Sequence, residues 1–264
     1  MTKIFAFIAV LLAPLAAFAE SIEDIVQVDV LSGWRAPDGT HMAGLRLKLA
    51  PGWKTYWRSP GDAGIPPSFS WRGSRNIDSV RFHWPIPEVQ NQNGFRTLGY
   101  SNQVVIPVQL MPKNNRSIRM NGRIELGVCK DVCIPVSLDF KANLPTDGAR
   151  DPQITAALID QPLSATEAGV QGVSCDIEPT SDGLRMAAHV DMPQLGRDEI
   201  AVVELPDQSV WVSETKTVRS GDRLTATMEM ANEHGKPFAL DRSRIRITVL
   251  SQGAAVDIMG CSAG

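Results

Sequence analysis

Residues 123-RIELGVCKDVCIPVSLDF-140 carry two of the four cysteines, Cys129 and Cys133. Fold the two halves against each other around Lys130-Asp131-Val132 and Cys129 stands opposite Cys133. Val128 then faces Ile134, Leu126 faces Val136 and Ile124 faces Leu138. Every large apolar residue lands on one face. Glu125, Gly127, both cysteines, Pro135, Ser137 and Asp139 land on the other. A slip of one residue would scramble this sorting, so the register is strongly specified. The stretch predicts an antiparallel hairpin with its cysteines turned away from the core. Opposed residues of such a pair have Cα atoms about 4.5–5.5 Å apart, within the roughly 4.4–6.8 Å a disulfide accepts. On one continuous strand the same residues would stand about 13 Å apart, which forbids the bond.

The same period-two alternation recurs outward along the chain, in 43-AGLRLKL-49, 104-VVIPVQL-110, 184-LRMAAHV-190, 223-RLTATMEM-230 and 244-RIRITVL-250. It marks half-buried strands. Turn signals punctuate them at Asp38-Gly39, Asn121-Gly122, Asp182-Gly183 and Gln252-Gly253. Many short strands with frequent turns point to an all-β chain of antiparallel sandwiches. One segment differs: in 151-DPQITAALIDQP-162, Asp151 suits a helix N-cap, Pro152 suits its first turn and Pro162 stops it. The expected division is a first β-domain over 20–148, a linker with a short helix over 149–169, and a second β-domain over 170–264.

The N-terminus sets the compartment. Lys3 precedes the uncharged apolar run 4-IFAFIAVLLAPLAA-17, and Ala17-Phe18-Ala19 fits an A-x-A cleavage site. Residues 1–19 read as a signal peptide cleaved after Ala19. The run is shorter than the roughly 20 residues of a membrane span, and no later segment is apolar enough to be one. The expected product is exported, with no membrane span in the mature chain. Its charge is mild, 26 Lys and Arg against 29 Asp and Glu, which gives no footprint for nucleic acid.

Export favours disulfides. Cys129, Cys133, Cys175 and Cys261 allow three pairings. Cys175 and Cys261 lie near the ends of the second domain, and a bond between them closes a long loop worth about 4.6 kcal/mol in the chain-entropy model, against about 2 kcal/mol for Cys129–Cys133. The long bond reads as a structural staple. The short one is left with three readings: a hairpin staple, a metal clip, or a bond meant to open and close. Two thiolates alone are too few for zinc, and His41, His83, His189 and His234 are scattered. No metal or cofactor is expected. Lys130 beside Cys129 favours a reactive thiolate, and Asp131 opposes it. Trp34, Trp53, Trp57, Trp71 and Trp84 crowd the first domain, either filling its core or forming an aromatic binding wall.

The first domain resembles the N-terminal periplasmic domain of the thiol:disulfide interchange protein DsbD, and more closely the ScsB-type relatives linked to copper tolerance. The resemblance rests on 53-WKTYWRSPGDAGIPPSFSW-71, 82-FHWPIPE-88, 99-GYSNQVVIPV-108 and 128-VCKDVCIPV-136. It implies immunoglobulin-like sandwiches, two of them here joined by the helical linker, with a redox-active pair at Cys129 and Cys133. It also implies thiol–disulfide oxidoreductase activity towards periplasmic thioredoxin-like proteins. A cap loop shields the pair in that family. The matching stretch is 93-NGFRTLGY-100, with Phe95, Leu98 and Tyr100 as expected covering residues. Two departures stand out: the cysteines of DsbD are further apart, and this sequence holds no membrane electron transporter and no thioredoxin domain. A separate DsbD-like membrane protein is then the expected electron donor. The alternative is a non-catalytic binding or copper-homeostasis module that uses the tryptophan-rich surface and keeps Cys129–Cys133 as a structural bond.

Overall fold

The structure is a computed structural model that describes residues 21–61, 63–92 and 94–264. The signal-peptide reading of residues 1–19 lies outside these. Among the described residues no helix is long and apolar enough to cross a membrane.

The first sandwich begins after a single capped turn, α1 (Ile22–Ile25), and contains ten strands. They are β1 (Val26–Arg35), β2 (His41–Leu49), β3 (Lys54–Tyr56), β4 (Ser68–Ser70), β5 (Ser79–Phe82), β6 (Glu88–Gln92), β7 (Phe95–Ser101), β8 (Gln103–Met111), β9 (Ile118–Cys129) and β10 (Cys133–Leu144). One sheet runs β1-β2-β8-β5. The other runs β10-β9-β3-β7-β6, with β4 also paired to β9. Alternation supplies the core. Ala43, Leu45 and Leu47 of β2 and Ile106, Val108 and Leu110 of β8 join Ile118, Met120, Ile124, Leu126 and Val128 of β9 in one buried cluster.

The β9–β10 register is the one the alternation demands: Cys133 opposite Cys129, Ile134 opposite Val128, Val136 opposite Leu126 and Leu138 opposite Ile124. The strands are longer than the turn signals suggest. Asn121-Gly122 is no turn but part of β9. Gly122 is there for close approach, since a Cβ at that position would lie 2.5 Å from the Phe140 ring and 2.6 Å from the Ser70 carbonyl oxygen. The Asn121 backbone N–H donates to Ser74 Oγ.

The linker is docked rather than loose. Asp151 caps α2 (Pro152–Ile159), its carboxylate accepting from the N–H groups of Gln153 and Ile154. Ile154 packs with Trp34, Val105 and Ala157 on the outer face of the β2–β8 sheet. The second sandwich begins inside the stretch read as linker, because β11 (Leu163–Ser164) pairs in parallel with a later strand. The remaining strands are β12 (Gly172–Pro179), β13 (Leu184–Asp191), β14 (Ile200–Glu204), β15 (Val210–Val212), β16 (Lys216–Ser220), β17 (Arg223–Asn232), β18 (Arg246–Ser251), β19 (Ala254–Met259) and β20 (Ser262–Ala263). They form sheets ordered β11-β19-β18-β14 and β15-β17-β13-β12-β20. The two sandwiches share apolar packing. Leu250 and Ala255 of the second belong to the same buried cluster as the first sandwich's core.

Candidate thiol–disulfide site

Both predicted disulfides are present. Cys175 and Cys261 are bonded with Cα atoms 5.8 Å apart, and Cys129 and Cys133 with Cα atoms 4.1 Å apart. Cys175 is fully buried in the second core and Cys261 packs beside it, as a staple would. No group of three or more potential metal ligands occurs among the described residues.

The hairpin bond is asymmetric. Placement on the face away from the core leaves both sulfurs open unless another segment covers them. Cys133 is exposed, but Cys129 is only 1% exposed. The cause is the neighbouring strand. β3 lies beside β9 with Lys54 opposite Cys129 and Thr55 opposite Val128, pinned by the Thr55 hydroxyl donating to the Gly127 carbonyl at 2.9 Å. Thr55 then faces inward, and Tyr56 falls on the sulfur side, over Gly127. A Cβ on Gly127 would lie 3.0 Å from the Tyr56 ring and 2.7 Å from Ile65; a Cβ on Gly64 would lie 3.0 Å from the opposite edge of that ring. Two residues without side chains thus make a slot for one phenol. The hydroxyl ends 2.7 Å from Cys129 Sγ and 3.1 Å from Cys133 Sγ.

Burial raises the Tyr56 pKa above the ordinary phenol value, so the hydroxyl keeps its proton near neutrality and is a donor to sulfur. A disulfide sulfur accepts weakly, whereas a thiolate accepts strongly. The contact therefore gains strength as the S–S bond breaks. Lys54, in register with Cys129, brings a cationic side chain to the same strand position, and burial lowers its pKa.

The expected cap residues are placed otherwise. β7 pairs with β3, Tyr100 opposite Thr55 and Gly99 opposite Tyr56. Alternation then sends Leu98 and Tyr100 inward; they are 3% and 6% exposed and belong to the core cluster. The Tyr100 hydroxyl donates to the Pro85 carbonyl at 2.8 Å. Phe95, at the start of β7, is exposed. The residue that covers the sulfurs is Tyr56, in 53-WKTYW-57, which sequence reasoning did not single out. Its signal is the bare Gly127 two residues before Cys129, legible only once β3 is known to lie beside β9. Of the tryptophans, Trp57 and Trp34 are buried, and Trp53, Trp71 and Trp84 pack against the core. Phe69, Phe82, Trp71, Trp84 and Phe140 form one connected aromatic group of tilted and edge-on ring contacts.

The sequence model described as thiol:disulfide interchange protein DsbD, N-terminal, matches residues 23–145. No curated protein matches the sequence. Among solved structures, the N-terminal periplasmic domain of ScsB from Proteus mirabilis is similar to this chain at 24% identity and a TM-score of 0.65, covering 90% of this chain and 92% of that one. That likeness is one of fold, and it runs through both sandwiches. The stretch matched by the DsbD N-terminal model, residues 23–145, holds the first sandwich and its disulfide hairpin.

Proposed function

We propose that the chain is a periplasmic thiol–disulfide exchange module working through Cys129 and Cys133. The observation that carries this reading is the split in exposure across one bond, with a buried hydroxyl on the covered sulfur. An incoming thiolate reaches the sulfur of Cys133, the exposed residue of the pair, and forms a new S–S bond there. The Cys129–Cys133 bond breaks, and its electron pair goes to Cys129 Sγ. That sulfur leaves as a thiolate and receives the Tyr56 hydrogen bond. A second thiolate of the partner then attacks its own sulfur in the mixed disulfide and releases the Cys133 thiolate. The partner ends oxidised and this pair reduced, and the reverse sequence reduces a partner. Staples close longer loops and tuck into a core, as Cys175–Cys261 does.

The family match and the motifs support thioredoxin-like partners in the periplasm and a separate DsbD-like membrane protein as electron donor. The leader over residues 1–19, cleaved after Ala19, accounts for export. Phe95 is the cap residue kept in this reading, as the exposed aromatic of its loop. The binding-module alternative, including a role in copper tolerance, needs a tryptophan-rich surface, and inward packing of the first domain's tryptophans does not favour it.

Single-cysteine variants test the assignment. Cys129→Ser keeps the exposed thiol and is expected to trap a mixed disulfide with a thioredoxin-like protein lacking its resolving cysteine. Cys133→Ser keeps the covered thiol and is expected to trap at least tenfold less, on the order expected when access limits exchange. No trapping by either variant would remove the exchange reading. Equal trapping would remove the assignment of Cys133.

A further inference from the structure

Tyr56 is the last residue of β3, and the chain just beyond it is held by the other sandwich. Arg58 reaches across to Glu204 at the end of β14, its Nε 3.0 Å from Oε1 and one terminal nitrogen 3.0 Å from Oε2. The same nitrogen donates to the Thr248 hydroxyl of β18 at 3.1 Å. The guanidinium carbon lies 3.9 Å from the centroid of the Trp57 ring. Arg58 is thus fixed by a two-pronged carboxylate, a hydroxyl and an aromatic face. Around it stand Arg246 and Asp257, which are paired with each other.

Gly64 and Ile65 close the Tyr56 slot, and Trp57 and Pro60 lie between Tyr56 and them in sequence. Trp57 and Pro60 rest on β7: the Leu98 N–H donates to the Pro60 carbonyl, and the Trp57 N–H donates to the Leu98 carbonyl. β7 is itself tied to the second sandwich, because Arg96 pairs with Glu214. The second sandwich therefore grips both the chain just beyond Tyr56, at Arg58, and the strand beside it, at Arg96.

We propose that the second sandwich sets the reactivity of the Cys129–Cys133 bond by holding Tyr56 in place, with Arg58 and Glu204 as the positioning residues. This rests on the exchange reading of that bond. Adhesion between the sandwiches does not require the ion pair. Leu250 and Ala255 already share a buried cluster with the first core, and the Ile86 N–H donates to the Asp160 carbonyl of the linker. Part-buried ion pairs add little net attraction beyond what apolar packing supplies, but a bidentate arginine fixes geometry tightly. Here the geometry fixed is the chain one residue beyond Trp57 and two beyond Tyr56. A hydroxyl that drifts from Cys129 Sγ no longer meets the leaving thiolate, so its contribution in the transition state is lost.

The test is the rate at which dithiothreitol reduces the short disulfide in the full chain, followed by tryptophan fluorescence over a range of pH. Tyr56→Phe is expected to slow it about tenfold, the effect of one charge-assisted hydrogen bond. Glu204→Gln is expected to slow it about fivefold by partial loss of the same bond, with unfolding still cooperative. The double variant is expected to be no slower than Tyr56→Phe alone, because both changes act through one hydroxyl. Arg58→Lys, which keeps the charge but loses the bidentate grip, is expected to behave as Glu204→Gln does. Should Glu204→Gln fail to fold, Thr248→Val removes one contact of the clamp and is expected to slow reduction about twofold. An unchanged rate in Glu204→Gln, or in Thr248→Val where that stands in for it, would overturn the proposal, as would a double variant slowed multiplicatively. A wild-type bond inert to every thiol would instead bring down the exchange reading, and the positioning role with it.

Discussion

At the scale of single residues, two buried tyrosines are placed in opposite ways. Tyr56 faces sulfur and Tyr100 faces the core, although both are buried and both donate a hydrogen bond. The sequence showed which cysteines pair, because a period-two pattern has only one register that buries Val128, Leu126 and Ile124 together. It did not show that Cys129 is covered and Cys133 open. That difference is made by a phenol 73 residues upstream of Cys129, and local patterns carry no information about such a neighbour. Tyr100 gives a test by pH. Burial raises its phenol well above the ordinary value of about 10. The fold thus prefers the neutral form, so this contribution to stability is whole below about pH 10 and is lost as pH rises further. In urea unfolding between pH 8 and 11, the wild-type midpoint is expected to fall beyond pH 10. Tyr100→Phe is expected to start about 1–3 kcal/mol lower, since the Pro85 carbonyl loses its buried donor, and to fall less steeply. Parallel curves would remove the assignment.

At the scale of elements, the two disulfides close loops of very different length, 4 and 86 positions apart in sequence. The alternating strands and the capped helix were legible, since each is written in local periodicity or in a cap such as Asp151. Asn121-Gly122 misled, because a glycine required by the Phe140 ring looks in sequence like a glycine required by a turn. The cap loop misled for a related reason. Leu98 and Tyr100 are apolar enough to cover a bond, but pairing of β7 with β3 turns them inward. The loop lengths yield a measurable contrast. The Cys175→Ser, Cys261→Ser double variant is expected to lose about 2–5 kcal/mol in denaturant unfolding. The Cys129→Ser, Cys133→Ser double variant is expected to lose no more than about 2 kcal/mol, because the turn already holds its ends together. A larger loss from the short pair would make it the staple.

At the scale of the whole molecule, two sandwiches are fastened by apolar packing, a docked linker and two arginine–glutamate pairs, Arg58–Glu204 and Arg96–Glu214. Sequence suggested two β-domains, because turn-punctuated strands occur on both sides of one helical segment. It held no sign that the second domain grips the chain beside Tyr56, since Arg58 and Glu204 lie 146 positions apart and neither is a candidate site residue of the sequence. A second domain that only extended the first would leave the couple's properties to the hairpin. One that braces Tyr56 makes the intact chain the unit of reactivity, so the couple belongs to be measured there. The central claim is that Cys129–Cys133 opens and closes in use. Equilibrating the intact chain with thioredoxin-like proteins of known potential gives the reduction potential of this couple. The account predicts a value above about −300 mV with ready exchange; a value below that, with no exchange, is the mark of a structural bond and would contradict it.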